Sequence, residues 1–455
     1  MRSFIFCTLL LCLLFTYSFA QKQSTIAISG ATLIDGTGNA PVLNSVVLIS
    51  GNRISKVGTT ETVPIPPGAQ RIDATGKFII PGLIDTHLHL EMVGLADVGE
   101  LPSDWNRPEK LCQLIIINAR LNLISGFTTV RDLGSTDLVL RIRDDINVGN
   151  LIGPRILAAG MQLVKKDTSK SGEPTFLEYD GPDSAVAKVR HLVRLGVDVI
   201  KIRLTHSRPI PSLEEVSAIV QEAHRLGVRA TVHTDVPADD FVKLAIEAGA
   251  DGIEHNAPLR SRDEHILSLM ADRGMSLMAG TGAFWLQRID TTALIDSLGV
   301  SQMKLFPHDV LSALRLGIDS VHRQTQQMKN SGWDAKQRQA SMIQEVQRAR
   351  VTGVLLVFGS DCGGYGMVHG EQYKAIYGES QIGYPPMQAI VMATRDAAVA
   401  LGKSKELGTI AAGKLADLVI LNADPLIDLR NLHQIYRVVK NGTVYNPVEL
   451  ISGIR

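Results

Sequence analysis

The chain has 455 residues, with 46 Lys+Arg against 46 Asp+Glu and a formal net charge of zero. That length is too great for one small core and allows a barrel of about 250 to 400 residues plus a minor domain. The even charge balance excludes a strongly basic nucleic-acid surface, and 5% aromatic residues with 40 glycines fit a globular α/β enzyme rather than a fibrous or disordered chain.

Residues 1–20 carry Arg2, an almost wholly apolar run from Ile5 to Tyr17, and the small-x-small end Ser18-Phe19-Ala20. These are the three parts of a secretory signal peptide. The apolar core is short for a bilayer span, and no later run reaches eighteen apolar residues. The expectation is a secreted or periplasmic protein with no membrane contact after signal removal; a retained anchor is the alternative. Leu9, Leu10 and Leu11 lack the small residues that precede a lipidated cysteine, which argues against lipidation at Cys12. Removal of Cys7 and Cys12 leaves Cys112 and Cys362, as one bridge or two free thiols.

From Thr25 to Lys77 the text breaks into short β-type pieces, TIAISGATLID, SVVLISGNRISKVG and RIDATGKFII, separated by Gly and Pro. From about Pro81 apolar strands alternate with amphipathic stretches. The strand that enters His87 is followed by GFTTVRDL, PRILAAG, VDVIKIRL, RATVHTD, GADGIEHN, GMSLMAG and GVLLVFGSD, which makes eight. Helices are expected over Glu109–Leu123, Asp183–Leu195, Leu213–Leu226, Asp239–Ala248, Arg262–Arg273 and Ala335–Val351. After Ala393–Leu401 the chain returns to β text, GTIAAGKLADLVILNADP and IYRVVKNGTVY. The expected fold is a (β/α)8 TIM barrel over 81–405 with a smaller β-sandwich domain split between 21–80 and 406–455.

In such a barrel the chemistry lies at the C-terminal strand ends. FIIPGLIDTHLHL ends in His87 and His89, which a strand period of two places on one face. Lys201 sits in VDVIKIRL, His233 ends RATVHTD, His255 ends GADGIEHN and Asp361 ends GVLLVFGSD. Each alone has an ordinary explanation, such as a strand-end histidine, a snorkelling lysine or a helix N-cap. That explanation must hold six times.

Together the phrases PGLIDTHLH, GFTTVRDLG, VDVIKI, VHTD, GIEH, GSD, ATRDAAVALG and GTIAAGKLADLVI resemble the amidohydrolase superfamily, over essentially the whole chain beyond residue 20. The nearest likeness is to its imidazolonepropionase-like and Xaa-Pro or Xaa-Arg dipeptidase-like group. The resemblance implies that Lys201 is carboxylated and bridges two divalent metals, zinc by donor type. It implies His87, His89, Lys201 and Asp361 around one ion, and Lys201, His233 and His255 around the other. An ammonium would repel two cations, whereas a carbamate offers two anionic oxygens. Metal-bound hydroxide would then attack a dipeptide or N-acyl amide, with Asp361 as general base.

The continuation KIRLTHSRPIP departs from the glycine-rich text common in that group. It places Arg203 at the parity of Lys201, where a guanidinium can meet a substrate carboxylate or remain a solvated loop charge. His206 and His369 are further substrate candidates. A mononuclear cyclic-amide hydrolase or deaminase, using His87, His89, His233 and Asp361 with Lys201 unmodified, is the second reading. A catalytically inactive barrel used for binding or assembly is a third. A small-molecule substrate is expected, no nucleic acid, and a homo-oligomer is allowed.

Overall fold

The computed structural model describes residues 25–92, 107–169, 173–234, 239–255, 263, 265–279, 335–364 and 367–452. The signal peptide expected over 1–20 lies outside these residues. Strands Thr25–Leu33 (β1), Val42–Ser50 (β2), Arg53–Thr59 (β3), Gln70–Asp73 (β4) and Phe78–Pro81 (β5) follow the β-type text. β1 pairs antiparallel with β2 and parallel with β4 and β5. Side chains alternate between two apolar layers: Ile26, Ile28, Val47 and Ile49 on one face, Ala27, Val46 and Leu48 on the other.

The apolar run ending at the histidine pair is two strands rather than one. β5 stays in the first sheet, and after Gly82 the chain starts Leu83–Leu88 (β6) in another. A Cβ at residue 82 would lie 2.1 Å from the Thr128 hydroxyl, so only glycine lets the chain cross there. The β/α alternation then runs through Phe127–Asp132 (β7), Arg155–Ala158 (β8), Gln162–Lys165 (β9) and Phe176–Tyr179 (β10). It continues through Val199–Leu204 (β11), Arg229–Thr234 (β12), Gly252–Glu254 (β13), Ser276–Met278 (β14) and Leu355–Val357 (β15).

Helices lie between them at Pro108–Ile124, Leu138–Asn147, Pro182–Leu195, Leu213–Arg225, Asp239–Glu247, Ile266–Asp272 and Ala335–Thr352. Their starts have local causes. Proline opens the first and third, where its missing N–H costs nothing. Ser212 and Glu215 form a reciprocal capping box at the fourth, with bonds of 3.2 and 2.9 Å. The helix Leu138–Asn147 and the short strands β9 and β10 were not expected from the sequence.

All these strands are parallel, with ladder orders β6-β7-β8 and β10-β9-β11-β12-β13-β14-β15. The eight expected strands are thus present in two ladders and not in one continuous ring, because β9 and not β8 pairs with β11. The ladders also touch. Asp198 N–H donates to the Ala158 carbonyl at 2.8 Å, and on the other side Asp361 N–H donates to His87 O and His89 N–H to Cys362 O, both at 2.8 Å. The main apolar core lies where β-branched strand residues such as Ile200, Ile202 and Val232 meet helix residues such as Val189, Val216 and Ile219.

Strands Leu418–Leu421 (β16), Ile435–Lys440 (β17) and Thr443–Tyr445 (β18) return to the first sheet, with β16 antiparallel to β5. Its order is β18-β17-β16-β5-β1-β2-β3, with β4 beside β1. Strands from both chain ends therefore form one mixed hydrogen-bonded sheet, where a sandwich of two had been expected. Before the chain returns to that sheet it forms a π-helical turn, Met392–Asp396, followed by the short α-helix Ala397–Ala400. Among the described residues no helix is long and apolar enough to cross a membrane.

One buried group makes stability depend on pH. Among the described residues, Glu379, on the helix Tyr373–Gln381, has no hydrogen-bond partner at either carboxylate oxygen, nor has the hydroxyl of nearby Tyr384. Burial pushes the Glu379 carboxyl up to about 8. Its folded pKa lies above its unfolded one, so its contribution is complete at acid pH and is lost as the pH rises towards about 8. Glu379→Gln should flatten the fall in Tm over that window; an unchanged slope would assign the dependence to other groups.

Candidate active site

Five strands, β6, β11, β12, β13 and β15, carry or lead into the metal-ligand candidates singled out in the sequence. His87 is in β6, His89 directly follows it, and Asp361 lies four residues beyond β15. Their ligand atoms all lie within 4.8 Å of one another. The His89 and His87 Nε2 atoms are 3.3 and 3.6 Å from Asp361 Oδ1, and His255 Nδ1 is 3.9 Å from Asp361 Oδ2. The His233 ring centroid is 4.7 Å from that of His255, which is 4.8 Å from that of His87. Lys201 is 1% exposed in β11, in register with Thr231, and Arg203 is in register with His233.

The backbone is bent to make this possible. His255 and Asp361 have φ of +66° and +57°, the left-handed region that non-glycine residues seldom occupy. Two such residues at one site are strain held by the surrounding packing. Gly363, at φ +99°, passes so close to the His89 carbonyl that any Cβ would collide with it. Asp85 fastens the two strand ends: it accepts from the Ser360 hydroxyl at 2.5 Å, the Ser360 N–H at 3.0 Å and the His87 N–H at 3.1 Å. Burial nevertheless pushes its carboxyl up to about 7.

The two first histidines have their Nδ1 atoms engaged elsewhere. His87 Nδ1 meets Glu254 Oε2 at 2.8 Å, and His89 Nδ1 meets the Gly134 carbonyl at 3.2 Å. Both partners are acceptors, so Nδ1 carries the proton and the Nε2 lone pairs converge with a carboxylate. Three electron donors around one point require a cation, either a proton or a metal ion. Burial, together with the neighbouring Lys201, holds His87 well below the usual histidine range, and burial with His233 holds His255 at about 3. For His89, burial opposes protonation, but the hydrogen bond and charge of Asp361 outweigh it and raise the pKa. For Asp361, burial favours the acid form, but His89, His87 and His255 hold the carboxyl well below its ordinary value.

The donor set fits a divalent ion. Neutral imidazoles and a carboxylate suit zinc, and the Lys201 Nζ is a buried nitrogen with no hydrogen-bond partner among the described residues. Burial pulls its ammonium down to about 7. A buried cation with no partner is costly, and that orphaned nitrogen is what a further group on Lys201 would satisfy.

The three substrate candidates separate. Arg203 is half-buried, with its guanidinium 5.7 Å from the Phe176 ring centroid, and among the described residues it makes no hydrogen bond or ion pair. His206 is exposed, its ring 4.6 Å from that of Phe241. His369 is 1% exposed, and both its ring nitrogens are used: one on the His89 carbonyl at 3.1 Å, the other on the Asn122 amide at 3.0 Å. It braces the His89 loop from behind. Cys112 and Cys362 are free; Cys362 is buried against the Val368 carbonyl, and burial raises its thiol well above the usual range.

Sequence reasoning missed Asp85, Arg131, Asp132 and Glu254, all buried. Asp132 accepts from the Leu90 N–H at 2.7 Å and from Ser135. The signal was present: each is a charge inside an apolar strand, within one or two residues of a candidate or in the phrase GFTTVRDL.

The Amidohydrolase family model matches residues 78–446, and the chain belongs to that family. Its fold is similar to that of a Xaa-Pro dipeptidase solved with methionine in the active site, with a TM-score of 0.73 and 28% identity over 93% of this chain and 100% of that one. It is 24% identical to a 5-methylthioadenosine/S-adenosylhomocysteine deaminase of Symbiobacterium thermophilum, over 88% of this chain and 85% of the relative. An imidazolonepropionase of Fusobacterium nucleatum is 21% identical, over 84% and 85%. The chain is a hydrolase acting on carbon–nitrogen bonds.

Proposed function

We propose that the chain is an exported amide hydrolase that releases an amino acid from a dipeptide or an N-acyl amino acid. The observation that carries this is the convergence of His87 Nε2, His89 Nε2 and the Asp361 carboxylate beside an orphaned, buried Lys201 Nζ. His87, His89 and Asp361 would hold one divalent ion and His233 and His255 a second, with Lys201 shared. Bound there, the two ions would supply Lewis acidity, polarising the scissile carbonyl and acidifying water. Lys201 would become an anionic ligand if its neutral amine attacks the carbon of CO2: the N–C bond forms as one C=O π bond opens onto oxygen, and the N–H proton passes to water. Its depressed pKa, about 7, leaves a large neutral fraction for that step.

The Asp361 carboxylate takes a proton from the attacking water as the oxygen bonds to the carbonyl carbon. It then delivers that proton to the nitrogen as the C–N bond breaks. No protein nucleophile is required, and the raised thiol of Cys362 does not offer one. We read the two parallel ladders as the wall of a (β/α)8 barrel over 81–405, with 21–80 and 406–455 as a sheet domain and residues 1–20 as a removed signal.

Arg203 favours an acid-bearing substrate over a neutral purine. A guanidinium with no acid partner among the described residues, on the strand of Lys201 and in register with His233, can take a carboxylate with two parallel N–H bonds. Arg203→Ala should raise KM for an N-acyl amino acid by roughly 10- to 100-fold, the size of a lost charged hydrogen bond, and leave the KM of the matching amide nearly unchanged. An equal rise in both would remove Arg203 from carboxylate recognition.

A further inference from the structure

Glu254, the last residue of β13, is 1% exposed and accepts three hydrogen bonds. Oε2 receives His87 Nδ1–H at 2.8 Å; Oε1 receives Arg131 Nη2–H at 2.7 Å and the Thr231 hydroxyl at 2.5 Å. Arg131 is 5% exposed, and its Nε–H donates to the Thr86 carbonyl at 2.6 Å. One guanidinium therefore grips both the peptide entering His87 and the carboxylate that grips the His87 ring.

Consecutive residues of an extended strand point to opposite faces, yet Glu254 and His255 both reach His87. The left-handed φ of +66° at His255 turns its ring back, to 4.8 Å from the His87 ring between centroids. A strained bend is thus retained where it lets neighbouring residues serve one histidine.

We propose that Glu254 is a positioning residue that fixes His87 as the Nδ1–H tautomer, so that its Nε2 lone pair faces His89 and Asp361, and that Arg131 keeps the carboxylate aimed. This rests on the metal-centre reading above and adds what orients its first ligand. A carboxylate is required because all three partners are donors. A glutamine presents one oxygen and one NH2, so one end would set donor against donor, against either His87 or Arg131. The His87 ring would then rotate or move its proton to Nε2, the atom that must be bare to bind a metal. Outer partners of this kind set ligand orientation and basicity.

The test uses the full chain and two readouts other than turnover. In metal-stripped protein, nitrogen-15 spectra of labelled histidine should show His87 protonated on Nδ1; protonation on Nε2 in the wild type would overturn the proposal, whatever any variant does. Zinc affinity, measured by competition with a chromophoric chelator, should fall roughly 10- to 100-fold in Glu254→Gln, with the circular dichroism of the fold retained. A folded Glu254→Gln that binds zinc as tightly as wild type would overturn the role of Glu254 alone. A wild-type chain that binds no divalent ion would instead overturn the metal-centre reading beneath it.

Discussion

Lys201→Ala should lower bound zinc from about two ions per chain to one or none. Turnover should fall by more than the roughly 10- to 100-fold that loss of an outer partner brings. The physical ground is the state of Lys201: 1% exposed, with Nζ hydrogen-bonded to none of the described residues and an ammonium destabilised by burial. As a cation it would repel metal ions from His87, His89 and His255, whose charges it already feels; as a carbamate it would join the two halves of the site. Elemental analysis of the purified wild type and variant checks this. One ion per chain in both would favour a mononuclear centre of the kind a deaminase-like reading needs, with Lys201 as an ordinary buried amine.

Asp361→Asn should cut kcat by about two to four orders of magnitude, the usual contribution of a general base, while the fold survives. Asparagine tolerates the left-handed region, so φ +57° is kept, and the backbone bond from residue 361 to the His87 carbonyl does not involve the side chain. What is lost is a carboxylate that His89, His87 and His255 hold ionised. Steady-state kinetics together with zinc content separates the roles: a large fall in kcat with most zinc retained fits a base, and near-normal turnover would take Asp361 out of proton transfer.

The parallel strands and their terminal residues were legible because two periods are written plainly in the chain. Runs such as VDVIKIRL and RATVHTD are buried on both faces and so read as continuous apolar text that stops at a polar residue. Among their helices one carries a capping box, at Ser212, and two open on prolines, Pro108 and Pro182. Tertiary decisions were not legible. Nothing local in FIIPGLIDTHLHL says that Gly82 divides it between two sheets; that follows from Thr128, which is 46 residues away in sequence. β9 and β10 are four residues each, too short for a period to register. His369 read as a mouth residue because its partners, the His89 carbonyl and Asn122, lie hundreds of residues earlier. Glu254 was hidden beside His255, since strand alternation puts neighbours on opposite faces and gives no warning of a left-handed bend.

The amide-hydrolysis reading is tested most directly by assaying the zinc-loaded full chain against a panel of N-acyl amino acids and dipeptides, with adenosine-type nucleosides and cyclic amides alongside. The expected result is release of a free amino acid from a carboxylate-bearing amide, abolished by Asp361→Asn and weakened by Arg203→Ala. Release of ammonia from the nucleosides, or ring opening of the cyclic amides, with no cleavage of any acyl amino acid or dipeptide, would contradict it.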